Sequence, residues 1–252
     1  MMGFNRRASK NSLGDAFGHA LRDFLHGEGR GYSMIERDDG YLDISGGREM
    51  YFAAYPDWPS RHRQAIKYAK GRVLDIGCGA GRHALYLQAK GLDVLGIDTS
   101  PLAVAVCRER GLREVRVMSL SQISPALGTF STVLMLGNNF GLFANPENAR
   151  RLLKRLHRVT NQDARIIAES LDPYQTNNPF HLAYQQRNRQ RGRMVGQVRI
   201  RVRYHRYATP WFDYLFVSRK EMEKILRGTG WKVKRFNPPR GYLYVAVIVK
   251  AD

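Results

Sequence analysis

The stretch V-L-D-I-G-C-G-A-G-R, Val73 to Arg82, constrains this 252-residue chain more than any other. Val73 to Ile76 is an apolar run with one acid inside it, the pattern of a short buried strand, and the A-G-R-H-A-L-Y-L-Q-A-K that follows suits a helix. Between them Gly77, Gly79 and Gly81 alternate. Three positions without Cβ let the backbone turn sharply and let a ligand lie against it. The dinucleotide fingerprint G-x-G-x-x-G needs a third glycine where this chain has Arg82, which argues against a nicotinamide or flavin pyrophosphate. The next strand, Leu92 to Ile97, ends at Asp98, at about the twenty-residue distance where a carboxylate accepts hydrogen bonds from ribose hydroxyls. A nucleoside without a pyrophosphate is implied.

D-I-G-C-G-A-G-R followed by G-I-D-T-S resembles the first two motifs of class I S-adenosylmethionine-dependent methyltransferases, and the resemblance runs from about Tyr51 to the C-terminus. It implies S-adenosyl-L-methionine as cofactor. The first motif would hold it through Asp75, Gly77, Cys78, Gly79 and Gly81, and the second through Asp98 and Thr99. Met118, Ser119 and Leu120 fall where the family contacts the adenine, and Leu136 and Gly137 follow the fourth strand. Many members carry an acid beside the adenine that this chain lacks.

Strands alternate with helices through the core. After Asp98, Ser100-Pro101 caps a helix; Glu114 to Val117, Ser131 to Leu136 and Ala164 to Ser170 read as strands, with Asn145-Pro146 capping another helix between the last two. Ser218 and Glu221 make a capping box, and Trp231 to Phe236 and Tyr242 to Val249 form a closing hairpin. The expected fold is therefore α/β: a Rossmann-like, doubly wound, mostly parallel seven-stranded sheet with ligands at the carboxyl ends of its strands. The resemblance implies the strand order 3-2-1-4-5-7-6 with the last strand antiparallel. Residues 1–50 read as an N-terminal appendage, with a helix introduced by Ser12 to Asp15 and striped by Leu13, Phe17, Leu21 and Phe24, then a hairpin turning at Asp39-Gly40. Residues 51–252 form the methyltransferase domain, and residues 172–217 are an insertion after the fifth strand.

Charge is the strongest compositional signal. The net charge is +19, and residues 1–100 hold 14 basic and 12 acidic side chains while residues 101–252 hold 27 and 10. In the insertion, Val198, Ile200, Val202 and Tyr204 alternate with Arg199, Arg201, Arg203 and His205, a half-buried strand with a cationic face. No acid occurs from Pro173 to Phe212. This face is expected either to meet an anion or to be balanced by acids from elsewhere. Cys78 and Cys107 have no metal-ligand spacing, and no apolar run reaches the roughly eighteen residues of a membrane span, so the chain reads as soluble and cytoplasmic, without membrane contact.

Methyl transfer is an in-line displacement, for which the acceptor atom must sit about 3 to 3.5 Å from the methyl carbon. Asn138 and Asn139, at the strand ends, are the candidates to hold the acceptor or the methionine part, with His83 as a candidate base. Tyr51, Tyr55 and Trp58, in the segment that often covers the cofactor in this family, and Tyr174 are candidate acceptor contacts, as are Arg199, Arg201 and Arg203. A cysteine nucleophile after the fourth strand is absent. N-P-P-R lies at residues 237–240, far from the place of the amino-methylating motif, and no acidic cluster predicts a metal. The expected activity is transfer to a small-molecule, anionic acceptor. An RNA substrate held by the arginine-rich insertion is the first alternative, and a cofactor-binding scaffold without turnover the second. The oligomeric state stays open.

Overall fold

A computed structural model describes residues 14–28, 32–44, 47, 49–238 and 240–251. The first elements among the described residues are α1 (Ala16–Leu25), the hairpin β1 (Met34–Arg37) and β2 (Leu42–Ile44), and the short helices α2 (Glu49–Phe52) and α3 (Ser60–Ala65). The core follows as β3 (Val73–Ile76), α4 (Arg82–Ala89), β4 (Val94–Asp98), α5 (Pro101–Glu109), β5 (Glu114–Val117), β6 (Phe130–Met135), α6 (Pro146–Arg158) and β7 (Thr160–Leu171). The insertion supplies α7 (Pro179–Gln190), β8 (Gln197–Tyr204), β9 (Tyr207–Ala208) and β10 (Phe212–Leu215). The chain closes with α8 (Arg219–Leu226), β11 (Trp231–Asn237) and β12 (Leu243–Lys250). Among the described residues no helix is long and apolar enough to cross a membrane.

The large sheet runs β5-β4-β3-β6-β7-β12-β11, which is the expected order 3-2-1-4-5-7-6, and β12 is antiparallel to both of its neighbours. Its faces follow the period of two in the sequence. Leu74 and Ile76 of β3 join Leu152 and Leu156 of α6 and Met222 and Ile225 of α8 on one side. Val73 joins Ile66, which follows α3, with Ala84 and Leu87 of α4 and Val104 and Cys107 of α5, on the other. Both faces are thus covered, as a parallel sheet requires. The caps are those the sequence marks: Ser100 accepts from Ala103 N at 2.9 Å and Asn145 from Asn148 N at 2.8 Å, and Ser218 and Glu221 cap α8 reciprocally.

Two expectations change. The N-cap of α1 is Asp15, which accepts from Gly18 N, while Ser12 and Leu13 lie outside the described residues. β7 is also longer than Ala164 to Ser170, because Phe130 pairs with Thr160 at its start and Leu171 with Leu243 at its end. The hairpin turns at Asp38 to Gly40 as expected, with Gly40 N donating to Arg37 O at 2.9 Å.

The sequence did not announce the second sheet. β8 pairs antiparallel with β1, placing Ile35 opposite Val202 and Glu36 opposite Arg201, and the full order is β10-β8-β1-β2 with β9 on β8. The front hairpin and the late insertion are therefore one structure. Val202 and Tyr204 pack on Ala16 and Ala20 of α1, and Val198 and Ile200 pack with Tyr184 of α7. α1 is held between this small sheet and the core, where Leu21 sits among Ala80, Ala103 and Val106. Gly18 makes that approach possible, since a Cβ there would lie 2.6 Å from Leu102 Cβ.

Candidate active site

The glycine loop leaves β3 with Gly77, Gly79 and Gly81 at φ of 69°, 56° and 78°, the left-handed region that costs glycine nothing. Gly77 N and Cys78 N donate to Ile97 O at 2.8 and 3.1 Å, which fixes the loop against β4. Asp98 completes the link: its Oδ2 accepts from Gly79 N at 3.0 Å and its Oδ1 from Ser100 N at 2.9 Å. Burial raises the Asp98 pKa, and these amide donors work against that rise. Under the loop, burial and the charge on Asp98 push Asp75 up to about 7, and its Oδ2 is buried without a hydrogen-bond partner. Cys78 and Cys107 are buried free thiols with their sulfurs 3.9 Å apart, and Cys107 Sγ donates to Gly79 O.

α1 and α2 cover this loop. A Cβ on Gly79 would lie 3.7 Å from the Phe17 ring and 3.8 Å from the Tyr51 ring, and the two rings meet edge to face. Asp15 secures the cover, capping α1 with Oδ1 while Oδ2 accepts from Leu102 N, in the first turn of α5, at 3.1 Å. Tyr51 therefore lies at the loop. Tyr55 and Trp58 do not join it: Tyr55 stacks on Tyr86, and Trp58 is buried against His83 and Tyr86 with its Nε1 donating to Ala53 O.

The acceptor side of the rim is built after β6. Asn138 has a left-handed φ of 64°, and its carbonyl accepts from Tyr214 Oη of β10 at 2.7 Å. Its own amide oxygen is buried without a partner. Asn139 is a tie instead, since its Nδ2 donates to Ile76 O at 2.9 Å and Gly77 O at 3.0 Å. Glu169 of β7 is wholly buried beside this turn; its Oε2 accepts from Gly137 N at 2.6 Å and Asn138 N at 3.1 Å. His62 Nε2 lies 3.0 Å from the same oxygen, and Arg61 Nε donates to Oε1 at 2.6 Å. Burial would raise the Glu169 pKa, but His62 and Arg61 outweigh it and hold the carboxyl at about 2.

His83 belongs to the same buried network. Arg82 Nη2 lies 3.1 Å from His83 Nε2 and 3.2 Å from His62 Nδ1, and burial together with the Arg82 charge keeps the His83 pKa well below its ordinary value. A neutral imidazole enclosed by Arg82, His62 and Trp58 is poorly placed to receive a proton from an acceptor. Arg82 also donates to Met50 O, so the residue that breaks the dinucleotide fingerprint fastens the covering segment.

Several expected contacts are placed elsewhere. Tyr174 is half exposed and donates to Glu221 Oε1 at 2.8 Å. Arg199, Arg201 and Arg203 stand on the face of β8 opposite the one packed on α1, so they do not line the loop. Arg201 and Arg203 pair with Glu36 at 2.7 and 3.1 Å, and Arg199 stands across from Asp213. The balancing acid comes from the front hairpin, which the local sequence around the insertion cannot show. Met118 N donates to Asp98 O, Ser119 N donates to Gln122 Oε1, Leu120 turns into the core, and Thr99 is exposed beside Asp98. The sequence reading missed Glu169, Arg61, His62 and Tyr214. For Glu169 a signal existed, an acid inside an otherwise buried strand, the same signal that singles out Asp75.

These residues fit a cationic nucleoside cofactor. The loop presents bare backbone, Asp98 is a carboxylate held in place by backbone amides, and Asp75 Oδ2 is a buried carboxylate oxygen without a hydrogen-bond partner. A sulfonium and an ammonium would supply the missing positive charge. A family model described as a methyltransferase domain matches residues 73–163. An S-adenosylmethionine-dependent methyltransferase from Bacteroides fragilis, solved in complex with S-adenosyl-L-homocysteine, superimposes with a TM-score of 0.81 at 26% identity over 95% of this chain and 96% of that one. The chain is similar to a glycine/sarcosine N-methyltransferase of Halorhodospira halochloris, 24% identical over 45% of this chain and 47% of the relative. It is also similar to a 2-heptyl-1-hydroxyquinolin-4(1H)-one methyltransferase of Mycobacteroides abscessus, 37% identical over 32% of this chain and 42% of the relative. The chain thus spans about half the length of the curated relatives it matches. The family model, the loop geometry, the sheet order and the likeness to the Bacteroides fragilis structure together support a class I S-adenosylmethionine-dependent methyltransferase, with S-adenosylmethionine as the cofactor.

Proposed function

We propose that the chain transfers a methyl group to a small-molecule acceptor by direct in-line displacement. Residues 14–52 and the insertion 172–217 act together as a cap over the core, and the observation that carries the reading is how closely this cap seats on the rim. At Gly141, in the turn after β6, a Cβ would lie 2.0 Å from the Tyr214 ring, so β10 rests directly on the acceptor side. Phe17 and Tyr51 cover the cofactor side in the same way. A roof this close favours an enclosed small molecule over a polymer laid across an open groove.

The bound cofactor supplies an electrophilic methyl on a positively charged sulfur. The chain supplies placement and dryness. The glycine loop and Asp98 would hold the nucleoside, and Asp75 would face the positive charge. Asn138, whose amide oxygen lacks a donor, would accept a hydrogen bond from an N–H or O–H of the acceptor and orient its lone pair for attack. Phe17 and Tyr51 over Gly79, and Tyr214 over Gly141, would keep water from the bound cofactor. The arginine face gives no support to an anionic acceptor, because Arg201 and Arg203 are paired with Glu36 and point away from the loop.

The test is methylation of cell extract with radiolabelled S-adenosylmethionine, followed by separation into small-molecule, RNA and protein pools. Label should enter the small-molecule pool. Label confined to RNA would replace this reading with the RNA-directed one.

A further inference from the structure

We propose that Glu169, on β7 and outside every recognised motif of the chain, is the positioning residue of the acceptor side, holding the Gly137-Asn138 turn and the Arg61-His62 segment in one register. This rests on the methyltransferase reading for its purpose, though not for its geometry.

The carboxylate is shared between two pieces of chain with no covalent reason to stay together. Oε2 takes the amides of Gly137 and Asn138, two successive N–H groups at the end of β6. Oε1 takes Arg61, from the helix that leads into the core, and His62 lies beside Oε2. Asn138 needs such support, because a non-glycine residue at φ 64° is strained unless its surroundings fix it. Tyr214 fixes the other side of the same peptide by donating to Asn138 O. Held from both ends, the Asn138 side chain keeps its amide oxygen buried and free, ready for the donor that the acceptor brings. A purely structural ion pair would need only Arg61. The two amides are the added observation, and they give Glu169 its role through Asn138 rather than on the acceptor itself.

Neutral partners cannot do the same. In Glu169→Gln one end of the amide faces the two N–H groups, and the other presents N–H to Arg61, so one set of bonds is lost. Ligand-free wild type and variants are compared by amide hydrogen exchange, read residue by residue by NMR, and each is titrated calorimetrically with S-adenosylhomocysteine. In Glu169→Gln the amides of Gly137 and Asn138 should exchange about tenfold faster or more, since their bonds to a charged acceptor become weaker bonds to a neutral oxygen, or are lost where the side chain turns its N–H toward them. Removing one member of a buried pair also lowers the melting temperature, so Glu169→Gln combined with Arg61→Gln serves as the control that relieves the uncompensated charge. That double variant should regain most of the melting temperature while the two amides stay fast. Return of their protection together with stability would make Glu169 a structural ion-pair partner only and overturn the proposal, as would unchanged exchange in Glu169→Gln. Failure of wild type to bind S-adenosylhomocysteine would instead sink the methyltransferase reading, and the exchange result would still decide the role of Glu169.

Discussion

Asp75 and Glu169 are both buried acids in strands of one sheet, and their surroundings send them in opposite directions. Asp75 has no cation bonded to it and rises to about 7; Glu169 has Arg61 and His62 and falls to about 2. Because the folded value of Asp75 exceeds its ordinary 3.8, the ligand-free protein should lose stability as pH rises from about 4 to about 7. Glu169 contributes stability that is present above its ordinary 4.5 and is lost as pH falls toward 2, on the order of 3 kcal/mol in all. A cationic cofactor favours the charged form of Asp75, so binding at pH 6 should release a proton. Calorimetry in two buffers of different ionisation heat reads this directly, and Asp75→Asn should remove it; equal heats for wild type in both buffers would take Asp75 out of the site. Asp98→Ala should weaken S-adenosylmethionine about tenfold or more, roughly 1.4 kcal/mol, by removing a charged acceptor from the ribose. Unchanged affinity in a folded variant would remove Asp98 from that role. Both acids were legible in the sequence, because each stands at a fixed place relative to a glycine motif. Glu169 was half legible: its burial could be read from A-E-S-L, but its partners come from residues 61, 62, 137 and 138, which nothing local connects.

Among the elements, α1 joins the cap to the core, packing Ala16 and Ala20 on the small sheet and Leu21 among Ala80, Ala103 and Val106. Its cap residue is shared: Asp15 serves Gly18 N in α1 and Leu102 N in α5, so the helix that covers the loop is fastened to the helix that follows Asp98. Asp15→Ala should cost about 1 kcal/mol as a lost N-cap and more for the second amide left bare. The expected kinetic result is several-fold faster dissociation of S-adenosylhomocysteine in stopped flow, with association little changed; equal dissociation rates would mean that α1 does not hold the cofactor in. The apolar stripe of α1 is visible in Phe17, Leu21 and Phe24, while the expected start at Ser12 lies outside the described residues. Asp15 caps the described helix, and its second partner, Leu102 N, is one that no local pattern shows. The strands of the large sheet were legible for a different reason. A parallel strand buried on both faces must be apolar, whatever it packs on.

At the scale of the whole molecule, charge that is lopsided along the sequence is partly balanced in space. The front hairpin brings Glu36 to Arg201 and Arg203, and Asp39 to Arg37 and Arg187. Replacing Arg199, Arg201 and Arg203 together by Gln should therefore leave S-adenosylhomocysteine affinity unchanged while loosening β1 from β8, seen as faster proteolysis between residues 25 and 45. Submicromolar RNA binding by the wild type at physiological salt, lost in this triple variant with a flatter salt dependence, would contradict that outcome. The pairing of hairpin and insertion was invisible in the sequence because antiparallel register depends on both strands, and each alone reads as a plausible half-buried strand.

That pairing also imposes an order in time. Glu36 and Arg201 are 165 residues apart, so a ribosome adding roughly 5 to 20 residues per second leaves the hairpin waiting about ten to thirty seconds for its partner strand. During that interval Ile35, Leu42 and Ile44 have no sheet to join, and α1 lacks Val202 and Tyr204 behind it. The first part of the chain to be made is thus among the last to be seated, and a nascent chain stalled near residue 190 should present its hairpin to protease while the Val73–Ile76 strand is already protected.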